Sequence, residues 1–179
     1  MITQKELKQW LYYSPTVGTF EWIKRGRGVQ VNCLAGRVCP KSGYINVRLQ
    51  RKTYRAHVLA WLYMTGSWPE MELDHKDGDK TNNAFCNLRL ATKSQNRWNA
   101  QNFRTSSSGV KGVTYMPKAK KWRAVVGINN EKVNIGLFKT MEEAEQAVRI
   151  KREELHGEFA NHGVHKYILE EMEGDVITS

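Results

Sequence analysis

Five consecutive small polar residues, Thr105-Ser106-Ser107-Ser108-Gly109, limit what this chain can fold into. Such a run has little apolar surface to bury and reads as a flexible connector. It divides 179 residues into a segment over 1–103, a linker over 104–109, a segment over 110–161 and an acidic tail over 162–179. Each segment is long enough for one small core, and a hydrophobic content of 40% with six Trp supports folded rather than disordered segments.

Charge separates the parts further. Residues 1–103 hold 16 Lys/Arg against 7 Asp/Glu, residues 104–161 hold 11 against 7, and residues 162–179 hold 1 against 4. The basic excess therefore lies on the two structured segments, which points to a polyanionic partner. No apolar run approaches the roughly 18 residues of a membrane span, and Met-Ile-Thr-Gln-Lys-Glu at the start lacks the apolar stretch of a signal peptide. Cys33, Cys39 and Cys86 make an odd count without C-x-x-C spacing. That argues against structural zinc and a disulfide framework, and the expected setting is a reducing cytoplasm.

Local patterns predict the elements. Thr3-x-x-Glu6 is a capping box opening a helix through Leu7, Trp10 and Leu11, stopped at Ser14-Pro15. Residues 19–23 and 44–49 read as strands, with the basic loop Lys24-Arg25-Gly26-Arg27-Gly28 between them. Residues 55–64 suit a buried helix, 71–74 and 87–91 suit short strands, and Thr92-x-x-Gln95 opens a helix expected to reach about Asn102. Past the linker, three strand-like runs over 112–115, 122–128 and 132–138 precede a helix capped by Thr140-x-x-Glu143.

The chemistry concentrates in residues 73–96. Asp74-His75 ends one strand, Asn87 opens the next, and Asn96 falls in the following helix. Phosphodiester hydrolysis needs a base for water, and a neutral His serves near pH 7. It also needs charge neutralisation at the phosphate, and the hard oxygens of Asp74 and Asn96 favour Mg²⁺ or Mn²⁺ over zinc. Asp77 and Asp79 read as turn residues around Gly78 rather than as ligands. Adjacent strand residues face opposite ways, so Asp74 and His75 share a site only where the strand bends.

Residues 73–96 resemble the ββα-metal core of HNH endonucleases in the variant ending in Asn. Their spacing is particularly close to that of phage and intron-encoded homing endonucleases. Gly43-Tyr44-x-x-Val47, Tyr54-x-x-His57-x-Leu59-Ala60 and Gly66-x-x-Pro69 extend the resemblance over residues 5–102. It implies Asp74 and Asn96 as ligands of one divalent cation, His75 as general base, and Asn87 as the residue pinning the loop. Asn99 is an alternative ligand, and His57 has a supporting place. Arg89, Lys93 and Arg97, with Lys24, Arg25 and Arg27 of the basic loop, are candidate phosphate contacts.

Residues 109–160 resemble the APETALA2/ethylene-response-factor DNA-binding domain. The resemblance rests on Lys121-Trp122-Arg123-Ala124, Ile135-Gly136-Leu137-Phe138 and Leu155-His156-Gly157-Glu158-Phe159-Ala160. It implies a three-stranded antiparallel sheet on one helix, reading the major groove. The contacts it suggests are Thr114, Tyr115, Lys121, Arg123, Lys132 and Asn134. The whole is expected to be α+β: an N-terminal ββα-metal nuclease domain and a C-terminal sheet-on-helix module. The expected activity is metal-dependent cleavage of double-stranded DNA by a monomer, with no membrane association. The alternative is a non-cleaving DNA-binding regulator.

Overall fold

The structure is a computed structural model describing residues 1–26, 28, 30–99 and 108–163. Arg27, Asn102, residues 104–107 of the linker and the tail from 164 onward lie outside the described residues. The chain divides into two compact units, Met1–Thr92 and Lys93–Ser179.

In the first unit, α1 (Gln4–Trp10) begins at the expected capping box. Glu6 N–H donates to Thr3 Oγ1 at 3.2 Å, and Thr3 N–H donates to Glu6 Oε2 at 2.8 Å. The helix ends sooner than its apolar spacing suggested. Leu11 takes an extended conformation and starts β1 (Leu11–Ser14), which pairs antiparallel with β2 (Thr19–Trp22). Leu11 and Tyr13 are buried while Tyr12 is half exposed, the period-two pattern of a strand. Two successive Tyr favour the strand over another helical turn.

A second sheet runs in the order β3 (Arg37–Val38), β4 (Ile45–Leu49), β5 (Lys52–Arg55). Of these three, only β4 is marked in the sequence by a β-branched and aromatic run. From β5 the chain enters α2 (Ala56–Thr65) directly, and α2 closes at Gly66 in the left-handed conformation. Leu59, Ala60 and Leu62 of α2 join Leu7, Leu11, Tyr13, Phe20, Val47 and Leu88 in one core. Then β6 (Glu72–His75) pairs antiparallel with β7 (Leu88–Ala91), setting Asp74 opposite Arg89 and His75 opposite Leu88.

Gly18 ties the β1–β2 hairpin to the loop between β6 and β7. Its φ is +79°, and a Cβ there would overlap the backbone of Asn83 and Ala84. Gly18→Ala therefore combines a left-handed penalty with a backbone collision. The expected cost is about 2–4 kcal/mol, read as a lower urea midpoint. An unchanged midpoint would show that the hairpin does not press on this loop.

The second unit begins with α3 (Lys93–Trp98). The boundary thus falls before this helix and not at the Ser-rich run. The reason is local: Lys111 Nζ donates to Trp98 O at 2.8 Å, Asn161 Nδ2 donates to Asn99 O at 2.8 Å, and the Trp98 and His156 rings stack 4.5 Å apart. The sheet runs β10 (Glu131–Phe138), β9 (Lys121–Ile128), β8 (Val113–Met116), all antiparallel. Its turn residues Asn129 and Asn130 both adopt positive φ, 49° and 69°. One face of the sheet buries Ala124 and Val126 against Ala144 and Val148 of α4 (Met141–His156). No helix among the described residues is long and apolar enough to cross a membrane.

Candidate active site

The loop between β6 and β7 is polar, yet it is held by its own side chains. Asn87 is central to it. Its Oδ1 accepts from Asp77 N–H at 3.2 Å, and its Nδ2 donates to Asn82 O at 2.8 Å and to Asp77 Oδ1 at 2.9 Å. Asp77 also accepts from Asp79 N–H at 2.8 Å and from Asn82 Nδ2 at 2.6 Å. Asp79 Oδ1 accepts from Thr81 N–H and Oγ1. Both carboxylates are thus engaged in shaping the turn. Burial alone would push the Asp77 carboxyl up, but the hydrogen bonds from Asn87, Asp79 and Asn82 outweigh it and hold the group below its ordinary range.

His75 is 4% exposed at the end of β6, and its Nε2 lies 3.1 Å from Asn83 Oδ1. Asn83 Nδ2 donates to Thr81 O, which leaves Oδ1 as the acceptor. The imidazole therefore carries its proton on Nε2, and Nδ1 holds the basic lone pair. Asn83 is itself anchored: it is 1% exposed, and its carbonyl accepts the Tyr13 hydroxyl at 2.6 Å. One Asn among several in a polar loop carries no sequence signal for this role, which only the fold reveals.

Asp74, also 4% exposed, points to another partner. Arg89 Nε donates to its Oδ2 at 2.9 Å, and Nη2 sits 2.8 Å from the same oxygen without hydrogen-bond alignment, an ionic contact. Arg89, expected among the phosphate contacts, has a side chain only 11% exposed and is committed to Asp74.

Around His75 stand two aromatic rings. His57 packs edge-on at 5.0 Å, and Tyr44 lies 5.0 Å from His57 and 6.0 Å from His75. Burial, then the charge of His75 and Arg55, drives the His57 imidazole down to about 3. His57 Nδ1 is buried without a hydrogen-bond partner among the described residues. Arg55 and Lys80 lie over Tyr44, at 4.5 Å and 4.9 Å from its centroid. Both cations are exposed, and neither was singled out from the sequence.

The remaining expected residues are spread out. Lys24 and Arg25 are exposed on the loop after β2, with Lys24 Nζ 4.7 Å over the Trp10 ring. Asn96, Lys93 and Arg97 ride on α3 in the second unit. Asn96 is half-buried, whereas Asn99 is 4% exposed and held by Asn161. Arg97 Nη1 donates to Asn130 Oδ1 at 2.8 Å. On the sheet, Thr114 opposes Arg123, Lys132 opposes Gly127, and Asn134 opposes Val125. Strand alternation puts these, with Lys121, on the face away from α4. Tyr115 is the exception: it packs on Trp122 at 5.0 Å and so belongs to the other face.

The Asp74 carboxylate is a hard oxygen donor of the kind Mg²⁺-like ions take, since such ions use few protein oxygens and fill the rest with water and phosphate. Asn96, whose amide oxygen is a donor of the same kind, lies on α3 in the second unit. Among the described residues no group of three His, Cys, Asp or Glu is placed to hold a metal ion together.

A model of the HNH endonuclease family matches residues 54–98, from β5 through α3. Protein 3.8 of Escherichia phage T7 is 34% identical over 110 residues, covering 61% of this chain and 90% of that protein. The uncharacterized HNH endonuclease L560 of Acanthamoeba polyphaga mimivirus is 34% identical over 149 residues, covering 82% of this chain and 68% of that one. A solved structure titled for DNA binding and cleavage by the HNH homing endonuclease I-HmuI is 31% identical. It covers 49% of each chain, with a TM-score of 0.38.

Proposed function

The chain belongs to the HNH endonuclease family, and on that premise we propose that it is a metal-dependent, homing-type endonuclease hydrolysing phosphodiester bonds in double-stranded DNA. The observation that carries this reading is the buried His75, whose Nε2–H is held by Asn83 so that Nδ1 is the basic nitrogen.

In this mechanism His75 Nδ1 takes the proton of the water that attacks phosphorus. Asn83 keeps the tautomer, and the Asn87-braced loop fixes the ring's height above the substrate. Asp74, oriented by Arg89, would hold one divalent cation, Mg²⁺ or Mn²⁺, with Asn96 of α3 as the second expected ligand. When bound, that ion offsets charge developing on the phosphate and the leaving oxygen. Lys93 and Arg97 contact the backbone nearby, with Lys24, Arg25 and Arg27 further along the duplex. Arg55 and Lys80, braced on Tyr44 beside His75, hold the flanking phosphates.

The second unit acts as an APETALA2-type reader, laying Thr114, Lys121, Arg123, Lys132 and Asn134 in the major groove. Tyr115, on the opposite face, leaves that set. Tethering the two units raises the local concentration of each for the other's stretch of DNA, to about mM. A monomer has one site and makes one incision per visit, so the first product is a nick. The setting is the cytoplasm of a phage-infected host.

The test is supercoiled plasmid and phage duplexes incubated with the protein in Mg²⁺, Mn²⁺ or EDTA. Nicking that needs the metal supports the reading. Tight binding with no cutting on any substrate would leave the regulator alternative.

Arg55→Ala/Lys80→Ala is expected to flatten the slope of log K against log salt by about 2, one phosphate each. It should raise KM with little change in kcat. Fluorescence anisotropy across a salt series measures the slope, and an unaltered slope would remove both residues from the phosphate path.

A further inference from the structure

The second unit contains a cavity of about 290 Å³ lined from α3, β9, β10 and α4. Four cationic residues line it, Arg97, Lys111, Lys132 and Arg152, against one acid, Glu131; strand alternation turns the Lys132 side chain to the other face of the sheet.

Arg152 is 3% exposed. Its Nη2 donates to Lys111 O at 2.6 Å and its Nη1 lies 3.1 Å from His162 Nδ1; no carboxylate among the described residues is within ion-pairing distance of it. A guanidinium taken out of water is costly unless an anion accompanies it. The nearest acid in the chain of contacts is Glu153, and it reaches Arg152 only through His162.

His156 supplies a second, independent observation. It is 7% exposed, and its Nε2 lies 2.7 Å from Gly127 O, a pure acceptor, so Nε2 carries a proton. Its Nδ1 is buried with no partner among the described residues. The ring stacks on Trp98 at 4.5 Å and 6°, a geometry that suits an imidazolium.

We propose that this cavity binds a tetrahedral oxyanion of the phosphate class, held by Arg152, Lys111 and a protonated His156 Nδ1. Arg152, Lys111 and His156 are not among the residues assigned to the nuclease reaction, and the inference does not depend on the nuclease reading. Before the anion arrives, burial keeps the His156 ring below its ordinary range; the Gly127 bond opposes this, and Arg152 and Lys111 add to it. Arg97 on α3 and Glu131 on β10 complete the charged residues lining the cavity, with the Lys132 backbone beside them. An entering anion screens Arg152 and Lys111 from His156, so the ring takes up a proton as the anion binds. Affinity therefore falls as pH rises, by up to about tenfold per unit.

Sulfate is the cleaner probe, since it stays a dianion across the range used. We expect saturable calorimetric binding of sulfate to the full chain, at ionic strength matched with chloride, weaker at pH 8 than at pH 6. His156→Gln keeps a donor for Gly127 and removes the proton, so its affinity should be weak and its pH dependence shallower, that of Lys111 alone, whose ammonium burial brings down to about 8. Arg152→Met should lower affinity at least tenfold, with circular dichroism checking the fold. If that variant does not fold, His156→Gln and the wild-type pH slope decide the matter.

Absence of saturable sulfate binding would overturn the proposal, as would identical isotherms for wild type and His156→Gln. A mononucleotide and a short duplex identify the source of the anion. Displacement of duplex by sulfate in wild type but not in Arg152→Met marks a DNA phosphate. Simultaneous binding of sulfate and duplex marks a free anion.

Discussion

His75→Ala is expected to slow strand scission by about 10²–10⁴-fold, the usual contribution of a positioned general base. Duplex affinity should stay within about threefold, because His75 is 4% exposed and offers no cationic surface to the backbone. Single-turnover nicking of a labelled plasmid, with anisotropy for binding, separates the two. Asn83→Leu should give a smaller loss, of about tenfold, because the ring remains while its Nε2–H loses the acceptor 3.1 Å away. A His75→Ala protein that nicks at the wild-type rate would remove His75 as the base. A collapse of binding together with rate would make it a structural residue.

The other large effect concerns acid. His57 is 3% exposed and its imidazole sits at about 3, against 6.5 for the same group in the unfolded chain. Between those values the unfolded state binds the extra proton, so stability rises with pH through that window. The contribution is complete above about pH 6.5 and is lost as pH falls towards 3. From pH 7.5 to pH 5 the first unit should lose about 2 kcal/mol from this group alone. Urea unfolding followed by Trp fluorescence at the two pH values measures it. His57→Phe, which keeps a ring beside Tyr44 and His75, should show a much flatter dependence. Equal slopes in both proteins would mean that some other group accounts for the acid sensitivity.

The sequence was readable where a residue type has few alternatives. Thr3 and Thr140 announced their helices because a hydroxyl three residues before a Glu satisfies two orphan N–H groups at once, and both capping boxes are present. The β8–β10 sheet was legible from β-branched and aromatic runs punctuated by Asn129-Asn130. Where local preference was divided, tertiary pairing decided. Leu11 fits a helical apolar face, yet pairing with Trp22 drew it into β1. β3 has two residues, too few for any periodicity. At the site, Asp74, His75 and Asn87 stood out by spacing. The roles of Asn83, Arg55 and Lys80, and the commitment of Arg89 to Asp74, depend on contacts between residues 8 to 36 positions apart. No window of sequence contains such contacts.

The β1–β2 hairpin has a consequence for portability. The matched segment starts at residue 54, yet the loop holding Asn83 is clasped from far upstream. Tyr13 donates to Asn83 O, Phe85 N–H donates to Pro15 O at 2.8 Å, and Gly18 lies against both Asn83 and Ala84. A graft of residues 54–98 onto another scaffold would carry the catalytic letters without the clamp that shapes them. A transferable version of this site therefore has to reach back far enough to include the β1–β2 hairpin.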